Sequence, residues 1–344
     1  MSVHWFLSGN KEKPSSRIHG FRLHEALISK NISSYIDYCP IKSSIVDLPF
    51  DKVQIKEYVK FLKPREIVII QKLHGPNTIE FLDQLNEKEI NSVYIDCDVP
   101  CKINEAKKVS WVVASSEYLS QEYKKLGIKN VLCIEDAAEV FIKPHFNSSE
   151  MIKCVWFGLP GKQKWDSVVL LKNEINKASN TVGLNCSLLT ISSNREADIK
   201  WSRNSFSLIN TFDIAVIPVF FDNKEAFSKS SNRVIQSMAL GLPVLASPIP
   251  SYSKVIEDGL NGYICNNLDD WINKLKYIQD TRTLFQMKQN SFEFAQKKYS
   301  INKIIEDWKS LFYKLGGVGP NNNLTRIFMD KYVLRRLFEK LIGK

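Results

Sequence analysis

The stretch whose reading decides the fold runs from Glu225 to Ser247, EAFSKSSNRVIQSMALGLPVLAS. Ser228, Lys229, Ser230 and Ser231 make a short polar loop, and Asn232 to Leu240 then carries helical spacing with Ser231 placed as its N-cap. Gly241 suits the left-handed residue just past a helix end. Pro243 cannot extend a helix and opens the apolar run Val244, Leu245, Ala246. The order is loop, helix, glycine stop, buried strand. The first N–H groups of a helix lack intrahelical partners and sit at the positive end of its dipole, so a phosphate is stabilised there. Lys229 adds a full charge beside those amides, and Arg233 follows on the first turn. An ordinary capped surface helix with solvated basic residues has the same local pattern.

Outward from this stretch, strand-like and helix-like segments alternate in both halves of the chain. In the first half, Val3–Leu7, Ser34–Tyr38, Glu66–Ile70, Val93–Ile95, Trp111–Ala114 and Val131–Ile134 read as strands. The segments Ser16–Lys30, Lys52–Leu62, Asn77–Leu85 and Tyr118–Leu126 read as helices. In the second half, Cys154–Phe157, Ser187–Ile191 and Ile214–Pro218 are strands, Asp166 to about Lys177 is a helix, and Lys254–Glu257 is a short one. Two helices are expected between Asp269 and Tyr299, and a third over Lys303–Leu315. Alternation of this kind predicts parallel sheets covered by helices on both faces. Two such series predict two Rossmann-like α/β domains facing a cleft, over 1–140 and 151–300 and joined by a linker at 141–150. A helix within 301–319 is expected to cross back to the first domain.

Bulk properties narrow the class. The 344 residues suffice for two cores, and 44% apolar with 24% charged residues is an ordinary globular composition. The seven cysteines form no CxxC pair, so neither a zinc knuckle nor a disulfide framework is indicated, and the odd count fits a reducing cytoplasm. Met1 to Gly9 is too short for a signal peptide, and no run has the length of a membrane span. The net charge of +10 invites anionic ligands, but no nucleic-acid motif accompanies it, so nucleic acid is not expected as a partner. Part of that charge lies in the tail, residues 320–344, where Leu324, Ile327, Phe328, Leu334, Leu337, Phe338, Leu341 and Ile342 share a helical face against a basic one. Such a helix docks on an anionic membrane surface or a partner protein, or packs back on its own domains.

The segment Gln236-Ser237-Met238-Ala239-Leu240-Gly241-Leu242-Pro243-Val244, followed by Ile256-Glu257-Asp258-Gly259-Leu260-Asn261-Gly262, resembles the donor-binding region of GT-B glycosyltransferases. It resembles especially the large retaining family that carries E-x7-E and then A-M-A-x-G-x-P-V. The resemblance is strongest from Lys153 to Asp280. In the first half, Ser16–Arg22 and Val93–Asp98 look like acceptor-domain segments of bacterial polysaccharide enzymes. Both motif glutamates are replaced, the first by Ser228 and the second by Gln236. In the family the first contacts the donor sugar and the second the ribose. Gln236 can still hydrogen-bond a ribose hydroxyl, whereas Ser228 is too short to reach as a glutamate would.

The resemblance implies a cytoplasmic transferase that takes a sugar from a nucleotide-diphosphate donor to a glycan or lipid-linked acceptor. It implies a role in surface polysaccharide synthesis such as lipopolysaccharide or capsule, without metal or other cofactor, and with retention favoured over inversion. Stabilising the departing diphosphate needs preorganised positive groups. Lys229 and the amides of Ser230 and Ser231 offer them, as do Lys162 or Lys164 after the Trp156-Phe157-Gly158 strand, with Lys162 favoured because it lies nearer the glycines. Gly158 and Gly161 permit close approach of a ligand. Asn232, Arg233 and Glu257 are further donor contacts on the family pattern, and Trp201 either borders the base or packs in the core. In the first half, His74 and Lys72 follow a parallel strand and either position the acceptor or contact the donor sugar. Asp98 would be the general base of an inverting enzyme. Arg17 and His19 fall in the acceptor loop. Two other readings stay open, a non-catalytic GT-B-like binding subunit and a nucleotide-sugar epimerase.

Overall fold

The structure, a computed structural model, describes residues 2–41, 44–97, 103–146, 151–159, 161–202, 204–220 and 224–316. Asp98, Pro160 and the basic tail at 320–344 lie outside the described residues, and so do the side chains of Lys162 and Glu225. The chain divides into two compact units. One comprises Met1–Ile134 with the chain from Ile304 onward, the other Glu135–Lys303.

The first unit holds strands β1 (Ser2–Leu7), β2 (Ser33–Tyr38), β3 (Ile67–Gln71), β4 (Asn91–Asp96), β5 (Trp111–Ala114) and β6 (Val131–Cys133). Between β1 and β2 run α1 (Pro14–Ser16), a π-helical turn over Arg17–Phe21 and α2 (Arg22–Ser29). The remaining connections carry α3 (Lys52–Phe61), α4 (Pro76–Glu87), α5 (Ile103–Ala106) and α6 (Glu117–Lys125). The strands form one sheet in the order β2-β1-β3-β4-β5-β6, with every pairing parallel. Val68, Ile69 and Ile70 are fully buried, which is why β3 reads as a continuous apolar run. Helix α3 opens with a reciprocal capping box, in which Asp51 accepts from the Gln54 amide at 2.9 Å and Gln54 from the Asp51 amide at 3.0 Å. The last helix, α14 (Ile301–Lys314), completes this unit: Trp308 packs on Trp5 at 6.1 Å between rings, and the Leu315 carbonyl accepts from Asn91 Nδ2 at 2.9 Å.

The second unit holds β7 (Ile152–Phe157), α7 (Lys162–Val182), β8 (Cys186–Ser192), β9 (Ile199–Lys200), α8 (Ser205–Ile209), β10 (Ile214–Ile217) and α9 (Lys224–Phe227). It continues with α10 (Asn232–Ala239), β11 (Val244–Ala246), α11 (Pro250–Val255), β12 (Gly262–Ile264), α12 (Leu268–Ile278) and α13 (Thr281–Tyr299). Its parallel sheet runs β12-β11-β10-β7-β8-β9. Trp156, Val168, Leu171, Val216, Leu245, Trp271 and Leu275 fill one side of the core. Lys288 of α13 is also buried there, donating to the Phe212 carbonyl at 2.8 Å and pairing with Asp213 at 3.3 Å. That pair satisfies charge which would otherwise be costly in an apolar interior.

Several expected boundaries shift. The helix expected from Ser16 is interrupted by the π-helical turn, within which Gly20 lies so close to Leu7 that a Cβ would come within 2.6 Å of its side chain. Helix α7 starts four residues early and ends at Gly183, which takes the left-handed conformation with φ +67°. The short helix expected at Lys254–Glu257 lies instead at Pro250–Val255, with Pro250 at its start, where a missing N–H costs nothing.

Candidate functional site

In the second sheet β7 and β10 are neighbours from which the chain winds outward in opposite directions, so the loops beyond their carboxyl ends part and leave a crevice. The loop after β7 carries Gly158 and Gly161. The chain after β10 leads through α9 to the loop 228–231 and α10. Three side chains tie the rim together. Ser192 Oγ donates to the Gly158 carbonyl at 2.8 Å, Ser247 Oγ accepts from the Val219 amide at 2.8 Å, and Ser167 Oγ accepts from the Phe220 amide at 3.2 Å.

Arg233, on the first turn of α10, reaches across this crevice. Its guanidinium lies over the Trp156 ring at 5.3 Å. A Cβ built on Gly158 would sit 2.9 Å from Arg233 Nη2, so a side chain there would push the guanidinium from its place, and Gly158 has φ +152°. Burial lowers the basicity of Arg233, with the nearby Tyr252 acting in the opposite sense. Burial raises the Tyr252 phenol, and the charges of Arg233 and Lys229 oppose that rise. Among the described residues no carboxylate pairs with Arg233. A half-buried guanidinium on an aromatic face, at the end of a parallel sheet, has the chemistry to pair with an anion.

The loop leading to α10 differs from expectation in one respect. Ser231 occupies the N-cap position but makes no side-chain capping bond, and it is buried. The hydroxyl next to it does that work: Ser230 Oγ accepts from the Asn232 amide at 3.4 Å and donates to Asp136 at 2.7 Å. The reason is its side-chain direction, since Ser231 is turned into the core while Ser230 stays at the loop surface. Ser228 is buried and Lys229 half-buried. Lys164 is half-buried on the first turn of α7, and Lys162 opens that helix. Trp201 stacks on Phe157 at 6.4 Å and meets Phe206 edge-on at 5.4 Å, an aromatic cluster beyond β8. Glu257 is exposed, and its amide is held by Asn261 Oδ1 at 2.8 Å. Gln236 is buried, and its amide group faces the backbone of Glu139 and Val140.

The first unit has its own switch point, between β1 and β3. Gln71 ends β3 fully buried, and its Oε1 accepts from the Ser8 amide at 3.2 Å, Ser8 Oγ at 3.1 Å and Ser16 Oγ at 3.0 Å. This amide draws the loop after β1 onto the end of β3. Arg17 and His19 lie in the π-helical turn of that loop, where Arg17 donates to the Glu12 carbonyl at 3.2 Å. Lys72 follows Gln71 in the left-handed region, φ +59°, and the His74 amide donates to the Val46 carbonyl at 2.7 Å. Arg17 and His19 thus follow β1, and Lys72 and His74 follow β3, at the same end of the sheet. Gln71, Ser8 and Ser16 were not readable as site-builders, since their link spans more than fifty positions of sequence; Asp136, which holds Ser230, escaped for the same reason.

With this geometry, similarity to solved structures is extensive. HepE of Anabaena, in complex with UDP, superposes with a TM-score of 0.61 at 10% identity over 91% of this chain and 100% of its own. Sucrose-phosphate synthase of Thermosynechococcus elongatus gives 0.62 at 11% identity over 92% and 99%. S. aureus TarM, in a complex that includes UDP and alpha-GlcNAc-glycerol, gives 0.59 at 17% identity over 75% of this chain and 58% of its own. The fold is therefore the GT-B fold of glycosyltransferases, with two parallel six-stranded α/β sheets. Residues 199–280, which include the loop 228–231 and α10, match the family model Glycosyl transferases group 1. An uncharacterized glycosyltransferase of Haemophilus influenzae is 31% identical over 81 residues, or 23% of each chain. The chain spans less than two thirds of the lengths of TarM and of this Haemophilus relative.

Proposed function

We propose that this protein is a glycosyltransferase using a nucleotide-diphosphate sugar. The observation that carries the reading is Arg233, held over Trp156 and against Gly158 at the β7–β10 crevice, without a carboxylate partner among the described residues. In this reading Arg233 and Lys229 face the diphosphate, joined by a lysine from the start of α7, Lys162 or Lys164. The amides at Ser230 and Ser231 add fixed dipoles. Positive groups set in place before reaction stabilise the leaving diphosphate without reorganisation and without a metal. Retention is favoured by the resemblance. The β1–β3 edge, with Arg17, His19, Lys72 and His74, takes the glycan or lipid-linked acceptor, within surface polysaccharide synthesis at the cytoplasmic side. No helix among the described residues is long and apolar enough to cross a membrane. The basic segment 320–344 is the proposed contact with a membrane surface or partner.

A thermal-shift panel of UDP-, GDP-, CMP- and dTDP-sugars tests the donor class, since a ligand bound only by the folded state raises Tm. Arg233→Ala and Lys229→Ala are each expected to weaken the binding nucleotide by about tenfold or more, the usual worth of a charge-assisted bond. Unchanged affinity in both would remove the proposed phosphate site. Transfer that persists in excess EDTA, with the product anomer read by NMR, checks the metal-free retaining chemistry. Nucleotide binding without turnover would favour a binding subunit.

A further inference from the structure

We propose that Gln236 is a positioning residue that reads its own chain, and that the ribose hydroxyls of the donor are not recognised from this position of α10. The inference rests on the preceding reading only for the class of ligand. Gln236 is 2% exposed, and its carboxamide is engaged at both ends. Its Oε1 accepts from the Glu139 amide at 2.6 Å and the Val140 amide at 3.3 Å, while Nε2 donates to the Val140 carbonyl at 2.8 Å. A carboxamide offers acceptor and donor in one plane, as a peptide group does, and here it pairs with the backbone as a neighbouring strand would. A carboxylate supplies only acceptors and would set a negative charge against the Val140 carbonyl. The glutamine is thus the matched group at this position, although the resembled family has a glutamate there.

The pin is one of a series along the helix. Ser230 Oγ donates to Asp136 at 2.7 Å, and the Ile142 amide donates to the Ala239 carbonyl at 3.0 Å. Asn210 Nδ2 joins the Lys143 carbonyl at 3.0 Å to the Leu240 carbonyl at 2.8 Å. Pro144 lies against Gly241, at 2.7 Å from where a Cβ would stand. The segment 136–144 is therefore strapped along α10 from the loop before it to its C-cap. The helix that presents Arg233 is held in place by this strap, and Gln236 is its central fastening.

The test is a cycle on the full-length chain, with UDP or GDP, whichever binds, against its 2′,3′-dideoxy analogue. Affinities are measured for wild type, Gln236→Ala and Gln236→Glu, and amide exchange is followed at Glu139 and Val140. Without contact between Gln236 and the ribose, the ratio of affinities for ribo- and dideoxynucleotide stays within about twofold across the three proteins. Exchange at the two amides rises at least about tenfold in Gln236→Ala. Gln236→Glu, which keeps the acceptors should the alanine variant fail to fold, is expected to bind neither form more tightly than wild type. Loss of ribose discrimination in Gln236→Ala with protection unchanged overturns the inference. So does tighter binding by Gln236→Glu that depends on the 2′- and 3′-hydroxyls. If no nucleotide binds wild type, the proposed function fails, and unchanged exchange in Gln236→Ala would overturn the pin separately.

Discussion

Arg233 and Gly158 are matched residues: one needs a bare Cα beside it, and the other supplies it. Gly158→Ala would place its methyl within 2.9 Å of the guanidinium, at a φ that side chains rarely adopt. Backbone strain of this kind costs about 1–3 kcal/mol. The variant is expected to melt lower by several degrees and to lose most nucleotide affinity, measured by calorimetric titration. A variant that binds as wild type would place the anion elsewhere. The residue types at this site were legible in the sequence, because glycines after a strand and a basic residue on a first helical turn are local signals. The partner of Arg233 was not: Trp156 lies on β7, far from α10 in sequence, and nothing in the spacing tells which ring a guanidinium will cover.

Helix α10 begins at Asn232 behind Ser231 and stops before Gly241, as the spacing predicts. The Gly241 amide donates to the Met238 carbonyl at 2.9 Å and the Leu242 amide to Ser237 at 3.0 Å, the paired bonds of a glycine stop, with φ +72° at Gly241. Gly241→Ala meets both the left-handed penalty, about 1–2 kcal/mol, and Pro144. Its urea midpoint is expected to fall, and to fall further than that of Gly183→Ala, where no atom lies within reach of the new methyl. An equal loss in the two would mean that the contact with Pro144 adds nothing. Central strands such as β3 and β10 were legible because both faces are apolar. Helices α5, α8 and α9 and strand β9 span two to five residues each, too few for periodicity to register. Ser231 holds the N-cap position as expected, but the bond to the Asn232 amide comes from Ser230, because neighbouring serines have equal propensity and only packing chooses between them.

At the scale of the whole molecule, His4 and Glu66 of the first unit make stability depend on pH. Burial works against charge on His4, but its bonds to Asp37 at 2.6 Å and to Glu66 at 3.6 Å outweigh that and raise its pKa from 6.5 to about 9. Burial likewise opposes charge on Glu66, yet His4 and Ser2, the latter at 2.6 Å, lower its pKa from 4.5 to about 2. The imidazolium contribution is fully present below pH 6.5 and lost as pH rises through about 9. The carboxylate contribution is present above pH 4.5 and lost as pH falls towards about 2. Urea midpoints are therefore expected to decline on the alkaline side, and His4→Gln to flatten that decline; an identical slope in the variant would assign the loss to other groups.

The return of α14 to the first unit bears on how the protein is made. A ribosome releases the whole of Glu135–Lys303 before Trp308 becomes available to cover Trp5. Until then the earlier-born unit lacks the contacts of Leu315 with Asn91 and of Lys314 with Trp111, whereas the later-born one has all of its residues. The first half is thus completed last, and Trp5 stays without its Trp308 cover while the whole second half is synthesised.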